Sequence, residues 1–249
     1  MKRVDTPVGE RPAWVRDGVA RFRTLRAAAL IRTKLGRRAN LAQYRYSFSP
    51  AQLWALCDAA ASTSRLGGAL MEVGVAAGDT TVFLNRHLAS LGVPLPPYYC
   101  LDTFEGFSPK DIEVERANGR LYDYGGWFRV NSPTLLDASL RLHGLEGSVR
   151  IIQADAATFD YGTLPRLAFA LVDVDLYRPM RAALAGCWER LLPGGIMVAD
   201  DCTETTTWAG AKQAFEQFCE EISHPLDIRC GKLGFVHKPP LVAERLTEA

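Results

Sequence analysis

Residues 69–81, ALMEVGVAAGDTT, decide the fold. A short apolar run without polar alternation reads as a strand buried on both faces, as in parallel sheets. It carries one acid, Glu72, and then enters a Gly-x-x-x-Gly loop from Gly74 to Gly78. Such a loop lets the backbone approach a ligand closely and leads into a helix whose first N–H groups are free. Asp79 is the expected N-cap of that helix. Neither the Gly-x-Gly-x-x-Gly of dinucleotide sites nor the lysine of a P-loop is present. Glu72 ahead of the loop would repel a pyrophosphate and suits a cofactor with an ammonium and a sulfonium.

Working outward, strand and helix patterns alternate: DTTVFLNRHLASL, YYCLD, SPTLLDASLRLH, VRIIQA, LAFALVD, RPMRAALAGCWERLL, GIMVAD and TWAGAKQAFEQFCEEI. That rhythm is the one of parallel βα units. Two short strands close the series, LDIRC and LGFVH, with Gly231 and Lys232 as the turn of an antiparallel pair. Upstream, Ser49-Pro50-Ala51-Gln52 combines an N-cap, a proline at the first helical position and a capping-box partner, so a helix should run to about Ser62. Residues 17–38 carry a basic amphipathic pattern that either packs across a homodimer interface or covers its own domain. The expectation is an N-terminal helical region, 1–65, and a single α/β domain, 66–249, with a mostly parallel seven-stranded sheet. One segment breaks the rhythm: residues 103–131, with Phe107, Tyr122, Tyr124, Trp127 and Phe128 around Gly125-Gly126. It reads equally as a lid and as an aromatic cluster that packs the loop down.

Lys plus Arg number 29 against 28 Asp plus Glu, so no global field favours nucleic acid or an anionic membrane. A small molecule is the expected partner. The charged N-terminus lacks an apolar stretch of signal-peptide or membrane-anchor type, so the expected location is the cytoplasm. Six dispersed cysteines without a Cys-x-x-Cys pair read as reduced packing residues.

Acidic residues follow successive strands. Asp102 ends the second, where it can accept both ribose hydroxyls; Asp155 follows the third, where it can meet an adenine amino group. With Glu72, Gly74, Gly78, Asp79 and Thr80 they form the expected adenosyl-cofactor site. Asp173 and Asp175 then end LAFALVD, and Asp200 and Asp201 end GIMVAD. Adjacent parallel strands bring these ends together, where like charges repel unless a cation sits between them. Oxygen ligands select Mg²⁺ first, with Mn²⁺ or Ca²⁺ after it. The alternative is that the aspartates cap the helices that follow.

Glu72-Val73-Gly74-Val75-Ala76-Ala77-Gly78, Leu101-Asp102-Thr103-Phe104-Glu105-Gly106-Phe107, Asp173-Val174-Asp175-Leu176-Tyr177, and Pro193-Gly194-Gly195 leading to Asp200-Asp201 together resemble the macrocin O-methyltransferase family over about residues 66–237. The resemblance implies a Rossmann-like class I methyltransferase fold, with S-adenosylmethionine and Mg²⁺ (or Mn²⁺) acting on a sugar hydroxyl of a natural product. It implies Asp173, Asp200 and Asp201 as metal ligands, with Asp173 also bordering the cofactor. Asp175 is then the candidate general base, since no Lys or His stands beside the motif, or else a residue that orients a ligand or water. Rival readings are a catechol-type methyltransferase acting on a phenolic diol, a glycosyltransferase using Asp-x-Asp, and a non-catalytic S-adenosylmethionine-binding protein.

Overall fold

The computed structural model describes residues 46–92, 95–204 and 207–240, together with Leu25, Thr33 and Tyr44. The basic pattern at 17–38 otherwise lies outside the described residues. One compact unit runs from Tyr46 onward. Its seven strands are β1 (Ala69–Val73), β2 (Tyr98–Asp102), β3 (Val149–Gln153), β4 (Leu167–Val172), β5 (Leu191–Ala199), β6 (Ile228–Arg229) and β7 (Leu233–His237). They lie in the order β3-β2-β1-β4-β5-β7-β6, with β7 antiparallel to both neighbours and the rest parallel.

Among the described residues six α-helices accompany the sheet: α1 (Pro50–Thr63), α2 (Asp79–Ser90), α3 (Pro109–Ala117), α4 (Pro133–Leu142), α5 (Tyr177–Arg190) and α6 (Ala209–Glu221). The strands β1 and β4 are buried at every position, which explains their lack of alternation. Leu70, Phe169 and Val198 face a core built with Leu53, Leu56 and Leu84 of α1 and α2. Met71, Ala170 and Met197 face Met180, Leu184, Phe215 and Phe218 of α5 and α6. Burying apolar surface on both faces at ~25 cal/mol per Å² is the main force holding the three layers together. Five of the cysteines are buried packing residues and Cys230 is exposed; all six are free thiols.

The capping box that opens α1 forms as the sequence predicts: Gln52 N–H donates to Ser49 Oγ (3.3 Å) and Ser49 N–H to Gln52 Oε1 (2.7 Å). Two expectations need correction. The N-cap of α2 is Gly78, left-handed at φ 85°, and Asp79 is the first helical residue without a capping bond. The excursion at 103–131 is not all loop, since Ser108 caps α3 within it. That helix escapes a search for an apolar stripe because its two buried residues are Asp111 and Glu115. No helix among the described residues is long and apolar enough to cross a membrane.

Strand order reverses between β1 and β4. Their carboxyl ends form the switch point where open α/β sheets bind ligands, and the loops after β1, β2, β4 and β5 all emerge there.

Candidate functional site

Glycine 74 joins two stretches that lie about a hundred residues apart. Its φ is +84°, and a Cβ there would stand 1.8 Å from the Asp173 carbonyl oxygen. Asp173 N–H donates to Val73 O at 2.8 Å, and Gly74 N–H to Leu101 O at 2.8 Å. The glycine loop and the aspartate pair therefore share one backbone contact. Separation in sequence would suggest two independent sites, yet they abut.

Carboxylate oxygens of Asp173, Asp175 and Asp201 come within 4.8 Å of one another, with Asp201 buried and the other two partly open to solvent. Burial first, and then Asp200, Asp175 and Asp201, push the Asp173 carboxyl well above its usual range. For Asp175 the causes are burial, then Asp201 and Asp200, with the same result. Asp200 is pushed up to about 6 by burial and Asp201, against the pull of Lys232. Its Oδ2 accepts from Lys232 Nζ at 2.5 Å, while its Oδ1 is buried without a partner.

Asp175 and Asp201 also hold left-handed backbone, at φ 61° and 57°. Helix capping does not account for these aspartates. The N-caps of α5 and α6 are Leu176 and Trp208, neither with a side-chain capping bond. The all-oxygen, mutually repelling group of Asp173, Asp175 and Asp201 fits a hard divalent cation; Asp200, whose Oδ1 is orphaned, is not one of the three and is held by Lys232.

The residue that sequence reasoning missed is Lys232. No Lys or His was expected beside the aspartates, because none stands near them in sequence. The antiparallel β7 carries the β6–β7 turn back to the end of β5, so Lys232 Nζ sits 2.5 Å from Asp200 and 3.3 Å from Asp201. Burial lowers its pKa, but Asp200 and then Asp201 outweigh burial and raise it, so the ammonium stays charged.

The expected cofactor residues lie as follows. Glu72 is buried, and its Oε2 accepts from Thr81 Oγ1 (2.6 Å) and Tyr98 Oη (2.7 Å). Burial raises its pKa to about 7, despite both hydrogen bonds. Its visible work is to tie β1 to β2 and to the first turn of α2. Asp102 Oδ2 accepts from Val75 N–H (2.7 Å) and Ala76 N–H (3.0 Å), and its Oδ1 from Phe104 N–H (2.7 Å). That carboxylate organises both the glycine loop and the Asp-Thr-Phe-Glu-Gly turn. Asp155 accepts from Ala157 N–H (2.8 Å) and lies 3.7 Å from Arg178. Asp79 is exposed and Thr80 is buried.

The 103–131 segment is fastened beside the aspartates. Glu115, fully buried, accepts the first N–H of α5 from Tyr177 at 2.6 Å and pairs with Arg120; Asp111 pairs with Arg178 at 2.6 Å. Phe107, Tyr124 and Trp208 pack with ring centroids 5.8 to 6.0 Å apart, and Tyr124 Oη donates to Thr207 O. Tyr122, Trp127 and Phe128 pack at the rim of this cluster and remain partly exposed. A separate cavity of about 640 Å³ lies beneath α1, lined by Trp54, Asp58, Ile196, Arg229 and Phe235, and none of the four aspartates borders it.

Sheet order, switch-point loop and layering define the class: a Rossmann-like class I methyltransferase fold. The O-methyltransferase NovP superposes with a TM-score of 0.64 at 16% identity, over 80% of this chain and 84% of that one. The calicheamicin methyltransferase CalS11 gives 0.60 at 19% identity, over 94% and 99%. Residues 52–229 match the sequence profile of the Macrocin-O-methyltransferase (TylF) family, and the chain belongs to that family. It is also 29% identical over 141 residues to the 8-demethyl-8-(2,3-dimethoxy-alpha-L-rhamnosyl)-tetracenomycin-C 4'-O-methyltransferase of Streptomyces olivaceus. That match covers 54% of this chain and 52% of the relative, about half of each.

Proposed function

We propose that this chain methylates a hydroxyl of a glycosylated small molecule, using S-adenosylmethionine and Mg²⁺ or Mn²⁺. The observation that carries the reading is the contact of Gly74 with Asp173, which sets a cofactor-type glycine loop directly against a carboxylate group suited to a cation. Family membership supports methyl transfer to oxygen. The relative named for 4'-O-methylation of a rhamnosyl tetracenomycin supports a sugar hydroxyl as acceptor.

S-adenosylmethionine supplies an electrophilic methyl group on a sulfonium. Asp173, Asp200 and Asp201 would hold the cation, whose positive charge would make a sugar hydroxyl acidic enough to react near neutral pH. Gly74, Gly78 and the first turn of α2 at Asp79 and Thr80 cradle the cofactor. Asp102 fixes the loop's shape and Glu72 braces it from inside. Asp155 lies at the adenine end. Asp175 takes the acceptor's proton, from its place beside Asp173 and Asp201. Tyr122, Trp127 and Phe128 offer ring faces and edges to the C–H surface of the acceptor. Most of the rate then comes from alignment of the hydroxyl with the methyl group. Lys232 stands beside the aspartates, where a catechol-type methyltransferase would use a lysine as its base. Lys232 is nevertheless ion-paired to two of them, which argues against its use as a base.

The test is methyl transfer to a panel of glycosides with and without chelator, alongside calorimetric binding of S-adenosylmethionine. Chelation should abolish turnover, Mg²⁺ should restore it, and Asp200→Asn and Asp201→Asn should behave as chelation does. Asp175→Asn should keep the metal and slow turnover by about 10² to 10⁴. Full activity in chelator would remove the metal from the mechanism, and failure to bind S-adenosylmethionine would sink the whole reading.

A further inference from the structure

Four carboxylates converge on the carboxyl ends of β4 and β5, and Lys232 meets them from the β6–β7 turn. Its Nζ bridges Asp200 Oδ2 at 2.5 Å and Asp201 Oδ1 at 3.3 Å. The residue is held at its backbone and at its ammonium. Its carbonyl accepts Cys202 N–H at 2.8 Å, and its ammonium lies 4.8 Å from the centroid of the Phe48 ring, buried in the core of the α1 face. A cation so placed is partly desolvated and has few other arrangements, so its field acts on the aspartates with little screening by water.

From this geometry we infer that Lys232 is an internal counter-ion: it neutralises part of the aspartate repulsion in the metal-free protein, and its charge limits how tightly a divalent cation binds. The inference rests on the metal reading above and goes beyond it, because it assigns the affinity to a residue that is not a ligand. Two consequences point in opposite directions. Without a metal, removal of the ammonium leaves Asp200 and Asp201 facing each other without this neutralising charge and its two hydrogen bonds, so the fold loosens. With a metal, the same removal takes away a positive charge a few ångströms from a doubly charged ion, and attraction for that ion rises. A residue that merely packs, or one that orients Asp200 for ligation, would not produce this pair of opposite changes.

The experiment compares wild type, Lys232→Met, Lys232→Gln and Lys232→Arg at one pH by two readouts. One is Mn²⁺ affinity by calorimetry, and the other is the Tm of the chelated protein. Both neutral variants should bind Mn²⁺ about tenfold or more tightly than wild type and should melt several degrees lower when chelated; Lys232→Arg should stay close to wild type in both. Should Lys232→Met fold only when Mn²⁺ is present, that is the expected result in its extreme form, and Lys232→Gln supplies the affinity. Unchanged or weaker Mn²⁺ binding by a neutral variant, against a wild type that binds, overturns the inference and leaves the metal reading intact. A wild type that binds neither Mn²⁺ nor Mg²⁺ overturns both.

Discussion

Gly74→Ala and Gly67→Ala form a matched pair that isolates the contact between the glycine loop and the aspartates. Both glycines are left-handed, at φ +84° and +75°. An added Cβ at Gly67 meets nothing within 4 Å, so that substitution carries only the backbone cost, about 1 kcal/mol. At Gly74 the Cβ would lie 1.8 Å from Asp173 O, 2.6 Å from Asp173 C and 3.2 Å from Val174 Cγ1. Restoring a contact of about 3.5 Å requires the two strand ends to part by roughly 1.7 Å. That movement stretches the Asp173 N–H to Val73 O bond and the Gly74 N–H to Leu101 O bond, each worth about 1 kcal/mol, more if an end is left buried and unpaired. Gly74→Ala should therefore cost about 3 to 5 kcal/mol in total. For a domain of this size each kcal/mol lowers Tm by about 2 to 4 °C. Thermal melts should show a small drop for Gly67→Ala and a drop several times larger for Gly74→Ala. Calorimetry at low temperature, where Gly74→Ala is still folded, should show that cofactor and Mn²⁺ binding weaken together. A Gly74→Ala protein that melts with Gly67→Ala, or that loses one ligand and keeps the other fully, would refute the shared contact.

Glu72 gives a pH signature. Its folded pKa, about 7, lies above the ordinary carboxylate value, so folding takes up a proton; the stability it contributes is complete below about pH 4.5 and is lost as pH rises through 7. Glu72→Gln should match wild type near pH 5 and exceed it by about 2 to 3 kcal/mol at pH 8 in urea unfolding, and equal pH slopes for the two proteins would count against a raised pKa. Trp127→Ala should raise the acceptor KM about 2- to 10-fold, the loss of one ring contact, without change in S-adenosylmethionine affinity; an unchanged KM would remove the aromatic rim from the acceptor site.

Much of the sheet was legible because burial on two faces leaves a strong local mark. The runs ALMEV, YYCLD and LGFVH coincide with β1, β2 and β7, and the α1 capping box is written in four consecutive residues. What escaped depends on partners that are remote or belong to the backbone. Helix α3 buries acids in place of apolar residues, and those acids find Tyr177 and Arg178 about sixty residues away. Asp102 is recognisable as an acid at a strand end, but its hydrogen-bonding partners are N–H groups, which every residue except proline carries. Lys232 becomes visible only once the order β5-β7-β6 is known, since that order alone returns the last turn to the aspartates.

Backbone strain provides an independent argument for where the work of this protein is done. Ala76, Phe104, Asp175 and Asp201 all have positive φ, between 48° and 61°, and stand two or three residues beyond the ends of β1, β2, β4 and β5. For residues with a side chain this conformation costs about 1 kcal/mol or more each. Ordinary strand-to-helix turns do not require it, and glycine would remove most of the cost. Phe128, Ser223 and Cys230 share this conformation elsewhere, but four such residues in four loops at one edge of one sheet mean that the surrounding structure maintains the strain there where selection for stability alone would relieve it. The two strained aspartates belong to the carboxylate group, Ala76 lies in the glycine loop, and the N–H groups of Ala76 and Phe104 both donate to Asp102. A shape imposed at this expense supports the cofactor and cation site proposed above, since a row of helix caps would not require it.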